Sequence, residues 1–91
     1  MLMTHDKKSA LTFPCDFPIK IFGIASEEFE DAVLKIIKKY NPDLKETAIN
    51  KRPSKDGKYF ALTVLVYVDS QEKLDSIYQD LTASPLVLMS L

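Results

Sequence analysis

The sequence predicts an α+β fold: a two-layer ferredoxin-like βαββαβ sandwich, with a four-stranded antiparallel sheet carrying two helices on one face. Three observations predict it. Between Phe17 and Leu91 the hydrophobic period runs alternating, helical, alternating, alternating, helical, alternating. Each segment also carries its own start or stop signal. Finally, 91 residues supply one core and no more, because a chain of that length buries only roughly 60 to 65% of its unfolded surface. Residues 13–91 are therefore expected to form a single domain, and the polar, aperiodic residues 1–12 a flexible tail.

The elements follow in order. Phe13-Pro14-Cys15-Asp16-Phe17-Pro18 holds two prolines that keep the residues before them extended. It leads into a strand whose Phe17, Ile19 and Ile21 face the core while Lys20 and Phe22 face away, and Gly23 ends that strand. Ser26 is an N-cap, with Glu27 and Glu28 in the first turn, where the helix dipole favours negative charge. Phe29, Ala32, Val33, Ile36, Ile37 and Tyr40 fall on one helical stripe, Leu34 lies off it, and Asn41-Pro42 stops the helix. Leu44 to Arg52 reads as a short strand whose charges protect a sheet edge. Pro53 to Gly57 is a turn through Pro and Asp-Gly. Tyr59 to Val68 is the longest apolar run, with Phe60, Leu62, Val64, Val66 and Val68 on one side and Tyr59, Ala61, Thr63, Leu65 and Tyr67 on the other. Such a strand belongs in the sheet centre. Asp69 caps the second helix, with Glu72 at capping-box spacing; Leu74, Ile77, Tyr78 and Leu81 form its stripe. Ser84-Pro85 breaks it, and Leu86 to Leu91 is the fourth strand. Right-handed crossovers place the first and third strands at the centre.

Charge and cysteine usage exclude several classes. Twelve basic against thirteen acidic residues give a net charge of −1, which steers the chain toward neither nucleic acid nor an anionic membrane. No stretch approaches the ~18 apolar residues of a membrane span. The lone Cys15 has no intramolecular partner, and Met1 to Lys8 lacks a signal peptide's apolar run, so a soluble protein of the reducing cytoplasm is expected. One histidine, His5, and one cysteine are too few for a metal site. Cys15 stands beside Asp16, whose charge opposes a thiolate, and no serine has an identifiable base. The expectation is a protein without catalysis, metal or cofactor.

Helices on one side leave the other sheet face open. Lys20, Phe22, Arg52, Tyr59 and Tyr67 are the candidate binding surface on that face and the adjoining hairpin. The aromatics raise an alternative, an RNA-binding domain whose sheet stacks bases. Against it, Asp56-Gly57-Lys58-Tyr59-Phe60-Ala61-Leu62-Thr63-Val64 departs from the RNA-recognition pattern because Lys58 follows the glycine. Lys51, Arg52, Lys55 and Lys58 gather around the turn as a candidate anion site.

Phe13-Pro14, Phe17-Pro18-Ile19-Lys20-Ile21-Phe22-Gly23, Arg52-Pro53-Ser54-Lys55-Asp56-Gly57-Lys58-Tyr59 and the strand Val87 to Leu91 together resemble the YbeD-like family of small Gram-negative bacterial proteins. The resemblance spans nearly everything after the tail. It implies a ferredoxin-like domain similar to the ACT regulatory domains of amino-acid metabolism. It also implies a link to lipoate metabolism, since family genes often lie near lipoate-attachment genes. ACT domains take an amino acid at a glycine after the first strand and an Asp or Asn at the next helix start; Gly23 matches, whereas Ile24-Ala25-Ser26 supplies a single polar side chain. The leading reading is a non-catalytic regulatory module that binds an unknown protein or small molecule, as a monomer or homodimer.

Overall fold

Alternation along two ten-residue strands sets the architecture. The computed structural model describes residues 12–91, so the expected tail lies, Thr12 apart, outside the described residues. β1 (Cys15–Ile24) and β3 (Tyr59–Val68) pair antiparallel over their full length, from Cys15 opposite Val68 to Ile24 opposite Tyr59. Both turn the same side inward, so Ile19, Ile21, Leu62, Val64, Val66 and Val68 are buried. With β2 (Ile49–Pro53) and β4 (Val87–Ser90) the sheet order is β2-β3-β1-β4, the expected ferredoxin-like order. Helices α1 (Glu27–Tyr40) and α2 (Gln71–Ala83) close the core with Phe29, Val33 and Ile37 from one and Leu74, Ile77 and Leu81 from the other. Leu34, off the stripe, is half-buried.

Four local expectations are corrected. Gly23 does not end β1, which starts at Cys15 and continues to Ile24 because β3 offers ten residues to pair with. Gly23 is buried where the Phe29 ring crosses the strand; a Cβ there would run into that ring and lie 2.7 Å from the Leu86 carbonyl oxygen. Residues 44–48 are not strand: Glu46–Ala48 is a single 3₁₀ turn, and β2 begins at Ile49. The reason lies in Asn41. Its side-chain amide donates to the Tyr67 carbonyl (3.0 Å) and accepts from the Tyr67 N–H (2.7 Å), so one residue satisfies the ladder groups a longer β2 would have used. Ser70, not Asp69, caps α2: its backbone is extended and its hydroxyl accepts from the Lys73 N–H at 3.1 Å, as Ser26 does from Phe29 in α1. The fourth strand is also shorter than expected. Its register shifts opposite Phe22 and Gly23, with Leu88 as the additional residue, although Leu91 still exchanges both backbone hydrogen bonds with Lys20.

The helices are clamped at their surface. Lys39 Nζ lies 3.0 Å from Asp80 Oδ2, and the Tyr40 hydroxyl donates to the same oxygen. The Tyr40 hydrogen bond first, and Lys39 second, hold the Asp80 carboxyl below the usual carboxylate range. The same bond to Asp80 pushes the Tyr40 phenol up.

Truncating the inward Val64 to Ala should lower unfolding free energy by about 1 to 3 kcal/mol, read by urea denaturation, since buried methyls are lost without collapse of the site. Gly23→Ala should cost about as much or more, because the obstacles are a core ring and a main-chain carbonyl. A Gly23→Ala midpoint equal to wild type would contradict the crossing of Phe29 over β1. The depressed Asp80 group stabilises the fold above the unfolded carboxylate pKa of about 3.9 and loses that effect as pH falls through its lower folded value. Asp80→Asn should therefore flatten the acid limb of the stability profile, measured by urea midpoints between about pH 6 and pH 3.

Candidate binding surface

Register determines which side chains meet on the open face. Lys20 is opposite Thr63 and Thr63 opposite Asn50; Phe22 is opposite Ala61 and Ala61 opposite Arg52. Two three-residue rows thus cross the sheet, each with a small residue on the central strand β3 and longer ones on either side. The result is a depression of about 320 Å³, floored by Ala61 and Thr63 and walled by Lys20, Phe22, Asn50 and Arg52. Among the described residues the ion pairs are Lys39 with Asp80 and Lys51 with Glu30, so neither cation of the depression is neutralised by one.

A second, larger concavity of about 480 Å³ opens at the other end of the same face. Residues 41–48 form one bank and the outward side of β1 and β3 the other, with Asp16, Asn41, Asp43, Lys45, Leu65 and Tyr67 among its lining. The Asn41 clamp on the Tyr67 backbone fixes this bank against the sheet.

Of the five residues expected on the binding surface, Lys20, Phe22 and Arg52 come together in the first depression. Tyr59 lies at that end of the sheet, opposite Ile24. Tyr67 lines the other concavity, eight residues along β3 from Tyr59, or about 27 Å. The four residues of the expected anion cluster do not share a face. Lys51 pairs with Leu62 on the helical side, where its ammonium lies 3.0 Å from Glu30 Oε1 and 4.6 Å from the centre of the Phe60 ring. Arg52 is on the open side. Successive strand residues point to opposite faces, so adjacency in sequence separates the two. Lys55 and Lys58 stay in the turn. There the Asp56 carboxylate accepts from the Ser54 hydroxyl (2.8 Å) and the Lys58 N–H (3.1 Å), which hold it below its usual range. Gly57 has φ +72°, the left-handed conformation the Asp-Gly turn requires.

Asn50 and the concavity around Asp16, Asn41 and Asp43 were not singled out from the sequence. The small pair Ala61 and Thr63 within the most apolar strand was the legible signal for the first. For the second, the polar run after α1 gave no sign that it folds back on the sheet. Among the described residues, the large apolar ones that stay exposed, including Tyr59, Leu65, Tyr67, Met89 and Leu91, all lie on strands or their flanks and none on a helix. Among the described residues, no three His, Cys, Asp or Glu side chains gather as a metal site would, and no helix is long and apolar enough to cross a membrane.

A family model described as "Protein of unknown function (DUF493)" matches residues 8–91. A UPF0250 protein of Nitrosomonas europaea is 42% identical over 85 residues, covering 93% of this chain and 98% of that one. A UPF0250 protein of Neisseria gonorrhoeae is 44% identical over 87 residues, 96% of each chain. Among solved structures, the solution structure of HP0495 from H. pylori aligns with a TM-score of 0.77 at 17% identity, over 100% of this chain and 97% of that one. The ACT domain from the GTP pyrophosphokinase of Chlorobium tepidum aligns with a TM-score of 0.64 at 23% identity, over 85% of this chain and 97% of that one. At these identities both likenesses speak to the fold, which is ACT-like.

Proposed function

The chain belongs to the DUF493 (UPF0250) family, and we propose that it is a non-catalytic regulatory module whose open sheet face binds an anionic small molecule or an acidic group of a protein partner. One observation carries this reading: Lys20 and Arg52 converge, without an ion-pair partner among the described residues, on a depression that also offers the Phe22 ring and the Asn50 amide. Two cations beside an aromatic wall suit a carboxylate or phosphate attached to an apolar body, because the charge is met by charge-assisted hydrogen bonds and the body by the ring. The ACT-like fold supports a regulatory role by analogy. A place in lipoate metabolism rests on the family resemblance alone and is no part of the binding argument. The RNA-binding alternative is less favoured: Tyr67 stands at the far end of the face from Phe22 and Tyr59, so the three aromatics do not form one continuous stacking platform, and Lys58 departs from the RNA-recognition pattern.

Amide NMR titrations with glutarate, L-glutamate and inorganic phosphate test the reading. At least one probe should give saturable shifts centred on Asn50, Ala61 and Thr63. Arg52→Gln should weaken that response about tenfold, the loss expected for one charge-assisted contact. Shifts absent from these amides, or unchanged by Arg52→Gln, would overturn the assignment.

A further inference from the structure

We propose that the open faces of two copies of this chain pack together, the acidic end of one sheet over the basic end of the other. This rests on the reading of the open face as the binding surface and names an occupant for it. Charge along the face is biased: Asp16 and Asp43 outnumber Lys45 around the concavity at one end, and Lys20 and Arg52 stand without an acidic residue in the lining of the depression at the other. Asp16 and Lys20 project from the same side of β1, four residues or about 13 Å apart, with Pro18 and its partner Leu65 between them.

Two such sheets can face each other across a two-fold axis running along the strands or across them. An axis along the strands keeps each residue at its own level, so acid meets acid and base meets base. An axis across the strands at the level of Pro18 and Leu65 reverses strand direction, and Asp16 of one copy then lies over Lys20 of the other. Lateral position supplies a second pair. Residues 41–48 continue the β2 side of the sheet beyond the end of β2, where Asn41 holds Tyr67, so Asp43 and Arg52 occupy the same side at opposite ends. The same axis brings them together. The charges are therefore self-complementary for one isologous arrangement and repulsive for the other.

Exposed apolar surface lies where this packing would cover it. Leu65, 44% exposed, sits at the axis, flanked by Tyr67 at 50%. A face about 19 Å across and 30 Å along gives at most roughly 600 Å² per copy. That is the lower end of specific interfaces, so association should be weak and reversible.

Sedimentation of the full chain across micromolar to millimolar concentration should show a monomer–dimer equilibrium. Asp16→Lys and Lys20→Asp should each weaken it roughly tenfold or more by placing like charges opposite each other. An equimolar mixture of the two variants should recover association, since only the mixed dimer restores both pairs. If either variant does not fold, as judged by circular dichroism, Asp43→Lys mixed with Arg52→Asp makes the same test. Leu34→Ser on the helical layer should change nothing. A wild type monomeric throughout, single variants that associate as tightly as wild type, or a mixture no better than its components would each overturn the dimer. A monomer that still responds to glutarate at Thr63 would remove the dimer and leave the binding reading in place.

Discussion

Everything else in the structure depends on the full-length pairing of β1 with β3. Ten residues face ten without a bulge, so the period-2 alternation of both strands stays in phase from end to end. A slip of one residue would carry either Ile19 and Ile21 or Val64 and Val66 from the core to the solvent side and leave the other pair behind. In-phase pairing therefore defines two continuous faces, one apolar enough to seat both helices and one that need not be. β2, β4, α1 and α2 are built onto this pair: β2 extends it on one side, β4 on the other, and each helix lays its stripe on the common inward face, with the Lys39–Asp80 and Lys51–Glu30 ion pairs joining the added elements at the surface.

That dependence explains which features could be read from the sequence. The element order, the inward residues of β1 and β3 and both helical stripes were legible because each is a periodicity over ten or more residues, and packing enforces it. Several ends were not legible, because contacts elsewhere in the fold set them, whereas the Ser26 cap, the Asn41 stop and both bounds of β3 were. Gly23 looks like a strand terminator until Phe29 is placed over it; the residue is small because a ring must pass. Leu44 to Ala48 has the composition of an edge strand, yet Asn41 already satisfies the Tyr67 backbone, and that bidentate bond joins residues 26 apart. The same limit applied to the site. Lys20, Phe22 and Arg52 could be gathered from alternation alone. Lys51, their neighbour, lies on the other face beside Glu30, as alternation itself requires.

The depression shows how packing economy on one face creates opportunity on the other. β3 is fixed inward by Leu62, Val64 and Val66, and those positions have no freedom. The outward positions between them are unconstrained by the core, so Ala61 and Thr63 can be small at no cost to packing. Long side chains on β1 and β2 then surround a hollow that the hydrophobic effect alone would not produce. Its lining is set by register, so any change that shifts β2 against β3 separates Arg52 from Lys20 without touching either.

The two sheet edges differ in a way that bears on where a partner can dock. β2 carries Asn50, Lys51, Arg52 and Pro53, residues that resist strand addition. β4 has no such protection: from Leu81 to Leu91 the chain bears no charged side chain, and Leu88 is 59% exposed. Yet β4 is only four residues long and its register is interrupted at Leu88, so it offers an incoming strand little continuous ladder. With one edge charged and the other short and irregular, the outward face of β1 and β3 is the broadest regular surface left uncovered. On it, charge of both signs and exposed apolar area lie within the reach of a single contact.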